Sequence, residues 1–255
     1  MIEKMDMKSM DITEENVKKI QALFPSAVTE VIVDGKTTLK IDFDVLKQEL
    51  SASLIEDKQE RYQMSWPDKS KAKVLANSRI TSTLRPDKEK SVDFDNTQNL
   101  YIEGDNLDVL KLLRETYLGK VKMIYIDPPY NTGNDFVYND KFSVESEEWS
   151  EMSGDYDEQG NRLVKNLDSN GRFHTDWLNM IYPRLKVAKD LLSDDGVIFI
   201  SIDDCEIDNL SKICEEIFGR ANFICKFIWK SKLGKVGTTS TISATHEYIL
   251  SSGKK

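Results

Sequence analysis

The 255 residues hold only two histidines and three cysteines, and Cys205, Cys214 and Cys225 are an odd number at spacings that form no zinc motif. No metal site is expected, and the cysteines read as core side chains or neutral thiols. Long apolar runs are missing too, none approaching the roughly 20 residues of a bilayer span. The Met-rich, mixed-charge opening lacks the basic stretch and apolar core of a signal peptide. Membrane and secreted classes are set aside, and a cytoplasmic location is expected. Glycine is lacking in one pattern: the twelve glycines include no Gly-x-Gly. The nearest approach, Gly234 and Gly237, is a Gly-x-x-Gly within a basic loop that has no strand-turn-helix context.

What is present suits a folded α/β chain, at 39% hydrophobic and 31% charged residues. The length allows one large domain, or a modest one with an N-terminal extension. The net charge of -9 is unevenly spread: from Arg220 to Lys255 seven basic residues face one acid, Glu247, a balance of +6 that leaves -15 elsewhere. Such asymmetry points either to a polyanion near the C-terminal part or to a solvated surface stretch.

In chain order, Asp11 and Glu14 form a capping box before a helix ending near Leu23. Asp34-Gly35-Lys36 turns a β-hairpin between Thr29–Val33 and Thr37–Ile41, and Asp44 caps a helix from Val45 to about Leu54. From Glu56 to Asn96 a polar connector runs, with a helix near Ser70–Asn77. A boundary near Pro86 separates an N-terminal accessory region and connector, 1–85, from the main domain, 86–255. There, a strand at Asn99–Glu103, a helix closed by Gly119 and a strand at Val121–Ile126 predict a parallel, right-handed crossover. An acid-rich aperiodic loop follows, with nine acids between 134 and 160 against Lys141. Next come a helix from about Thr175 to Leu192 that Pro183 should kink or break, a very apolar strand at Val197–Ile202, a helix capped by Asp203-Asp204, and strands at Asn222–Trp229 and His246–Leu250.

The strongest chemical signal is Asp127-Pro128-Pro129-Tyr130, placed where the Val121–Ile126 strand stops. By accident this string would occur in about one chain of this length in several hundred. Proline fixes φ and has no N–H, so the loop is stiff and its carbonyls remain free acceptors. A carboxylate and a carbonyl side by side suit an amino group: Asp127 accepts one hydrogen, the Pro128 carbonyl the other, and Tyr130 stacks on the ring that carries the nitrogen. Base stacking of about 1–3 kcal/mol offsets much of the few kcal/mol needed to draw a base from a duplex. Other candidates have two readings each. Trp177 is either core or the border of a cofactor pocket; His246 either lines the target pocket or is a satisfied structural residue. Lys226, Lys230, Lys232 and Lys235 are phosphate contacts or a solvated edge.

These residues resemble the adenine amino-methyltransferases that use S-adenosylmethionine, and their surroundings resemble the modification subunit of type III restriction-modification systems, in the permuted β group. The likeness runs through Trp66-Pro67, Leu84-Arg85-Pro86, Tyr101-Ile102-Glu103-Gly104-Asp105-Asn106-Leu107, the motif with Asn131-Thr132-Gly133, Tyr182-Pro183-Arg184-Leu185, Gly196 to Asp204, and His246 to Leu250. It implies an incomplete Rossmann-like methyltransferase sheet, largely parallel with helices on both faces, with 86–255 as its catalytic half. It also implies S-adenosylmethionine as cofactor near Asp105, Asp127 and Trp177, and a flipped adenine gripped by Asp127, Pro128, Pro129 and Tyr130. Double-stranded DNA would meet Asn131, Lys226, Lys230, Lys232 and His246. A restriction subunit and a second copy of the chain are the implied partners. The family's target-recognition region and Phe-x-Gly-x-Gly loop would follow Leu250, so a C-terminal truncation is expected, and with it a second reading in which the chain is an assembly or remnant module without turnover.

Overall fold

Residues 11–33, 36–50, 63–133, 136–138, 163–165, 171–230 and 245–255 are described by the computed structural model. They fall into two units, Met10–Gln63 with Asn77–Arg79, and Met64–Ala76 with Ile80–Lys255. In the first, α1 (Ile12–Leu23) begins where the Asp11 carboxylate accepts from the Glu14 amide at 3.0 Å. Strands β1 (Val28–Val33) and β2 (Lys36–Ile41) form the expected antiparallel hairpin, Val33 opposite Lys36. Helix α2 (Phe43–Glu49) starts earlier than expected because Asp42, and not Asp44, is its cap. The extended backbone at Asp42 lays its carboxylate on the amides of Asp44 and Val45, at 3.0 and 3.1 Å. Asp44 falls into the first turn, where a negative charge suits the helix dipole.

The second unit holds α3 (Lys69–Asn77, its last residue apart), α4 (Asn106–Tyr117), β3 (Val121–Ile126), β4 (Phe136–Tyr138), β5 (Leu163–Lys165), α5 (Phe173–Leu191), β6 (Leu192–Ile202), α6 (Ile207–Phe218), β7 (Phe223–Lys230) and β8 (His246–Gly253). The sheet order is β3-β6-β8-β7. β3 and β6 are parallel, and β8 runs antiparallel to both of its neighbours. Three of the four strands thus share one direction, with β8 opposed between two of them. The sheet is mixed, which corrects the largely parallel expectation. β4 and β5 form a separate antiparallel pair inside the segment read as an aperiodic loop; the rest of that acid-rich stretch lies outside the described residues.

Alternation explains which face is covered. Ile124 and Ile126 on β3, Ile198, Ile200 and Ile202 on β6 and Leu250 on β8 pack against Trp177, Ile181, Leu185 and Ala188 of α5 and Leu210, Ile213 and Ile217 of α6. The opposite face carries exposed Tyr125, and Phe199 tilted against Phe227 with ring centroids 6.3 Å apart. Among the described residues, then, α5 and α6 cover one face of the sheet, where helices on both were expected. The predicted strand at 99–103 is also absent. Leu100 is 67% and Tyr101 91% exposed there, because β-branched and aromatic propensity becomes a strand only against a partner edge. Helix α5 continues through Pro183 to Leu191, so the expected break is not realised.

Segment 64–76 belongs to this unit through specific bonds. The Trp66 indole donates to Asn179 Oδ1 at 2.8 Å, and buried Lys69 reaches Glu216 at 2.6 Å. Burial would raise the Glu216 carboxyl, but hydrogen bonds from Lys69 and Tyr182 outweigh it and hold the group below the ordinary carboxylate range.

Strand β6 starts five residues before Val197, and Gly196 is the reason it can. Val121 pairs with Leu192 and Met123 with Val197, so an irregularity must be absorbed between them. A methyl at Gly196 would lie 2.9 Å from both the Ser193 and Val121 carbonyl oxygens. Gly196→Ala should therefore lower stability by about 1–3 kcal/mol, read as a fall in the urea midpoint at unchanged slope. An unmoved midpoint would mean that the two backbones need not approach so closely.

Candidate active site

The parallel register of β3 and β6 and the reversed run of β8 bring chemically active residues to one end of the sheet. Ile126 pairs with Ile200, Ile202 with Tyr248, and Lys230 with His246. Asp127, Asp203 and His246 therefore lie at the carboxyl end of β3 and β6, where open α/β sheets bind ligands.

The loop after β3 is held from below. Trp177, buried in the first turns of α5, donates its indole N–H to the Pro129 carbonyl at 2.7 Å. Asn131 has φ +63°, a left-handed conformation that asparagine tolerates better than most side chains. Its Nδ2 donates to Glu206 Oε1 at 2.6 Å and to the Phe173 carbonyl at 3.3 Å. Glu206 is buried; its Oε1 also lies 2.6 Å from His174 Nδ1, and its Oε2 accepts from Asn209 at 2.8 Å. Asp127 itself is exposed. No hydrogen bond from the described residues takes the Pro128 carbonyl. Burial first, then the neighbouring Asp127 carboxylate, pushes the Tyr130 phenol up to about 12, so it is a neutral donor at ordinary pH. Its ring packs half-buried against the core.

On β8, Tyr248 donates its hydroxyl hydrogen to Asp204 at 2.8 Å, so the His246 Nε2 contact, also 2.8 Å, is one in which the ring N–H donates to the phenol oxygen. The ammonium of Lys226 sits 5.3 Å from the Tyr248 ring. Asp203 accepts from the Cys205 amide at 2.9 Å and Asp204 serves Tyr248, so neither caps α6 as expected; Glu206 holds the N-cap position. Burial, then the charge of Asp203, pushes the Cys205 thiol up to about 11, and burial raises Cys214 further. Both are poor nucleophiles.

Of the residues named from sequence, Asp127, Pro128, Pro129 and Tyr130 form one loop, and Lys226, Lys230 and His246 share its end of the sheet. Lys232 and Lys235 lie outside the described residues. Asn131, expected at the DNA surface, is instead buried with its amide engaged, because the left-handed turn swings its side chain inward. Trp177, read either as core or as the border of a cofactor pocket, has no exposed surface and braces the loop. Asp105 caps α4, its Oδ1 accepting from the Asp108 amide at 3.0 Å, with Oδ2 3.8 Å from Arg184. Sequence reasoning did not single out Glu206 or His174. Glu206 lies two residues beyond the Asp203-Asp204 pair to which the capping role was given, and that acidic run was the signal that could have found it.

Residues 121–255 match the family model described as DNA methylase. The chain is 44% identical over 203 residues to the type III restriction-modification enzyme EcoPI Mod subunit of Escherichia phage P1, an alignment covering 78% of this chain and 31% of that protein. It is 42% identical over 204 residues to the EcoP15I Mod subunit of Escherichia coli, covering 79% and 31%. To the type II methyltransferase M.KpnI of Klebsiella pneumoniae it is 37% identical over 161 residues, covering 63% and 33%. The chain spans about a third of the length of the curated relatives it matches.

Proposed function

Because the chain belongs to the DNA methylase family, we propose that it is the target-gripping half of a Rossmann-like, S-adenosylmethionine-dependent methyltransferase acting on the 6-amino group of adenine in double-stranded DNA. One observation carries the reading. Trp177 occupies the Pro129 carbonyl, while Asp127 stays exposed and no described residue donates to the Pro128 carbonyl. Two neighbouring acceptors match the two hydrogens of an amino group. Holding both N–H bonds in the loop turns the nitrogen lone pair toward an electrophile, and the half-buried Tyr130 ring gives the extruded base a face to stack on.

Toward the methyl donor the fit is partial. S-adenosylmethionine supplies a sulfonium methyl group to an attacking nitrogen. The exposed carboxylate of Asp127 suits such a cation, and Asp105, whose Oδ2 keeps only a 3.8 Å ion pair, is the second group assigned to the donor's side. On the nucleic-acid side, Lys226, Lys230, Lys232 and His246 are assigned to phosphate and target contacts at the same end of the sheet. A restriction subunit and a second copy of the chain are the partners this reading proposes.

Tritiated methyl transferred to an adenine-bearing duplex by a protein containing residues 1–255 tests this, followed by digestion to nucleosides. N6-methyladenine is the expected product; N4-methylcytosine, or label in RNA or protein alone, would replace the acceptor. A second reading is an assembly module without turnover. Calorimetry on residues 1–255 separates the two, since micromolar binding of S-adenosylmethionine argues against the module.

A further inference from the structure

Glu206 is placed in a way that helix capping does not explain. It stands at the N-cap of α6, yet its side chain makes no bond to the amides of the first helical turn. A buried carboxylate is costly unless hydrogen bonds satisfy it, and here each oxygen is engaged: Oε1 by Asn131 and His174, Oε2 by Asn209. Asn209 belongs to the helix that Glu206 opens. The other two donors come from elsewhere, and both frame the motif loop.

Asn131 directly follows Tyr130, and His174 lies in the first turn of α5, one turn before Trp177. The loop is thereby fixed at two points, the Pro129 carbonyl by Trp177 and the Asn131 side chain by Glu206. Between Asp127 and Asn131, two proline rings remove two of the φ rotations. What freedom is left is governed largely by the left-handed turn at Asn131, which the side-chain hydrogen bond from Asn131 to Glu206 stabilises. Since His174 shares the same carboxylate oxygen, Glu206 also ties that turn to the start of α5, and so to the indole that holds Pro129.

We propose that Glu206 is the positioning residue of the Asp-Pro-Pro-Tyr loop: by holding Asn131 and His174 together it sets the aim of Asp127 and the Pro128 carbonyl. This rests on the reading of that loop as an amino-group grip. It assigns to a glutamate at a helix start, with no contact to substrate of its own, control over how well the grip closes.

The test uses the 255-residue chain and Glu206→Gln, which keeps size and burial but removes the charge and one of the two acceptor oxygens, so the charge-assisted bonds weaken and an amide N–H must face one of the three donors Asn131, His174 and Asn209. Hydrogen exchange of the Trp177 indole N–H and the Asn131 side-chain amide should quicken at least tenfold, while the backbone amides of Ile198 and Ile200 keep their wild-type rates. Unchanged exchange at Trp177 and Asn131, or exchange rising in step with the β6 amides, overturns the proposal, the latter because it shows general loosening. If E206Q does not fold, the pair E206Q with N131D, which reverses donor and acceptor across the same contact, is measured instead. Recovered folding and protection supports the proposal, and a second failure overturns it. In methyl transfer by a protein containing the chain, E206Q should lower kcat at least tenfold with KM for DNA within twofold, and a raised KM alone contradicts a positioning role. A wild-type protein that transfers no methyl sinks the amino-group reading, and the exchange measurement still decides what Glu206 does.

Discussion

Asp127→Ala should reduce methyl transfer to adenine by about 100-fold or more and leave the melting temperature nearly unmoved. The carboxylate is exposed, and surface truncations usually change stability by no more than about 0.5 kcal/mol. Its loss removes a charge-assisted hydrogen bond of about 1.5–3 kcal/mol, roughly 10- to 150-fold in rate. A nitrogen held by one acceptor is also free to swing, and misplacement by about 1 Å can cost another 100-fold. Asp127→Asn keeps one acceptor oxygen in the same place and should retain more activity than the alanine variant. Tritiated methyl incorporation separates the cases, and undiminished transfer by the alanine variant would end the assignment of Asp127 as the grip.

The loop could be read from sequence because its signals are local. An apolar run stopping at Asp-Pro-Pro can only be a strand delivering a stiff turn, and β3 ends at Ile126 as that pattern requires. The amphipathic spacing of Ile207, Leu210, Ile213 and Ile217 likewise yields α6 with that face buried. What escaped depends on distant partners. Glu206 and Asn131 are 75 residues apart, and neither carries a mark that the other will meet it. Asp42 and Asp44 are equally good caps by type, and only the backbone decides between them. The stretch 99–103 has the composition of a strand and no edge to join. Near-continuous apolar runs in β6 and β7 imply two covered faces, yet the described helices cover one, so Phe227 and Trp229 remain exposed on the other, and Ile228, on the helix side, is exposed because β7 is the edge strand.

Trp177 connects these two kinds of information, and its replacement should have the largest effect on stability. It is wholly buried in the core that joins α5 to β6, so Trp177→Ala should cost about 3–5 kcal/mol, enough to leave a marginal domain largely unfolded. Trp177→Phe is the more informative variant. The ring still fills most of the space, but the Pro129 carbonyl loses its donor at the base of the loop, a buried acceptor whose loss of partner costs about 1–3 kcal/mol. A freed Pro129 carbonyl would then compete with that of Pro128 for the same amino hydrogen. Methyl transfer by the phenylalanine variant should fall about tenfold beyond what its reduced folded fraction explains, with denaturation followed by circular dichroism giving that fraction. Wild-type turnover per folded molecule would mean that the indole bond fixes the core alone. A loss confined to turnover would show that burying an aromatic under the loop and leaving one carbonyl open for the target are the same structural act.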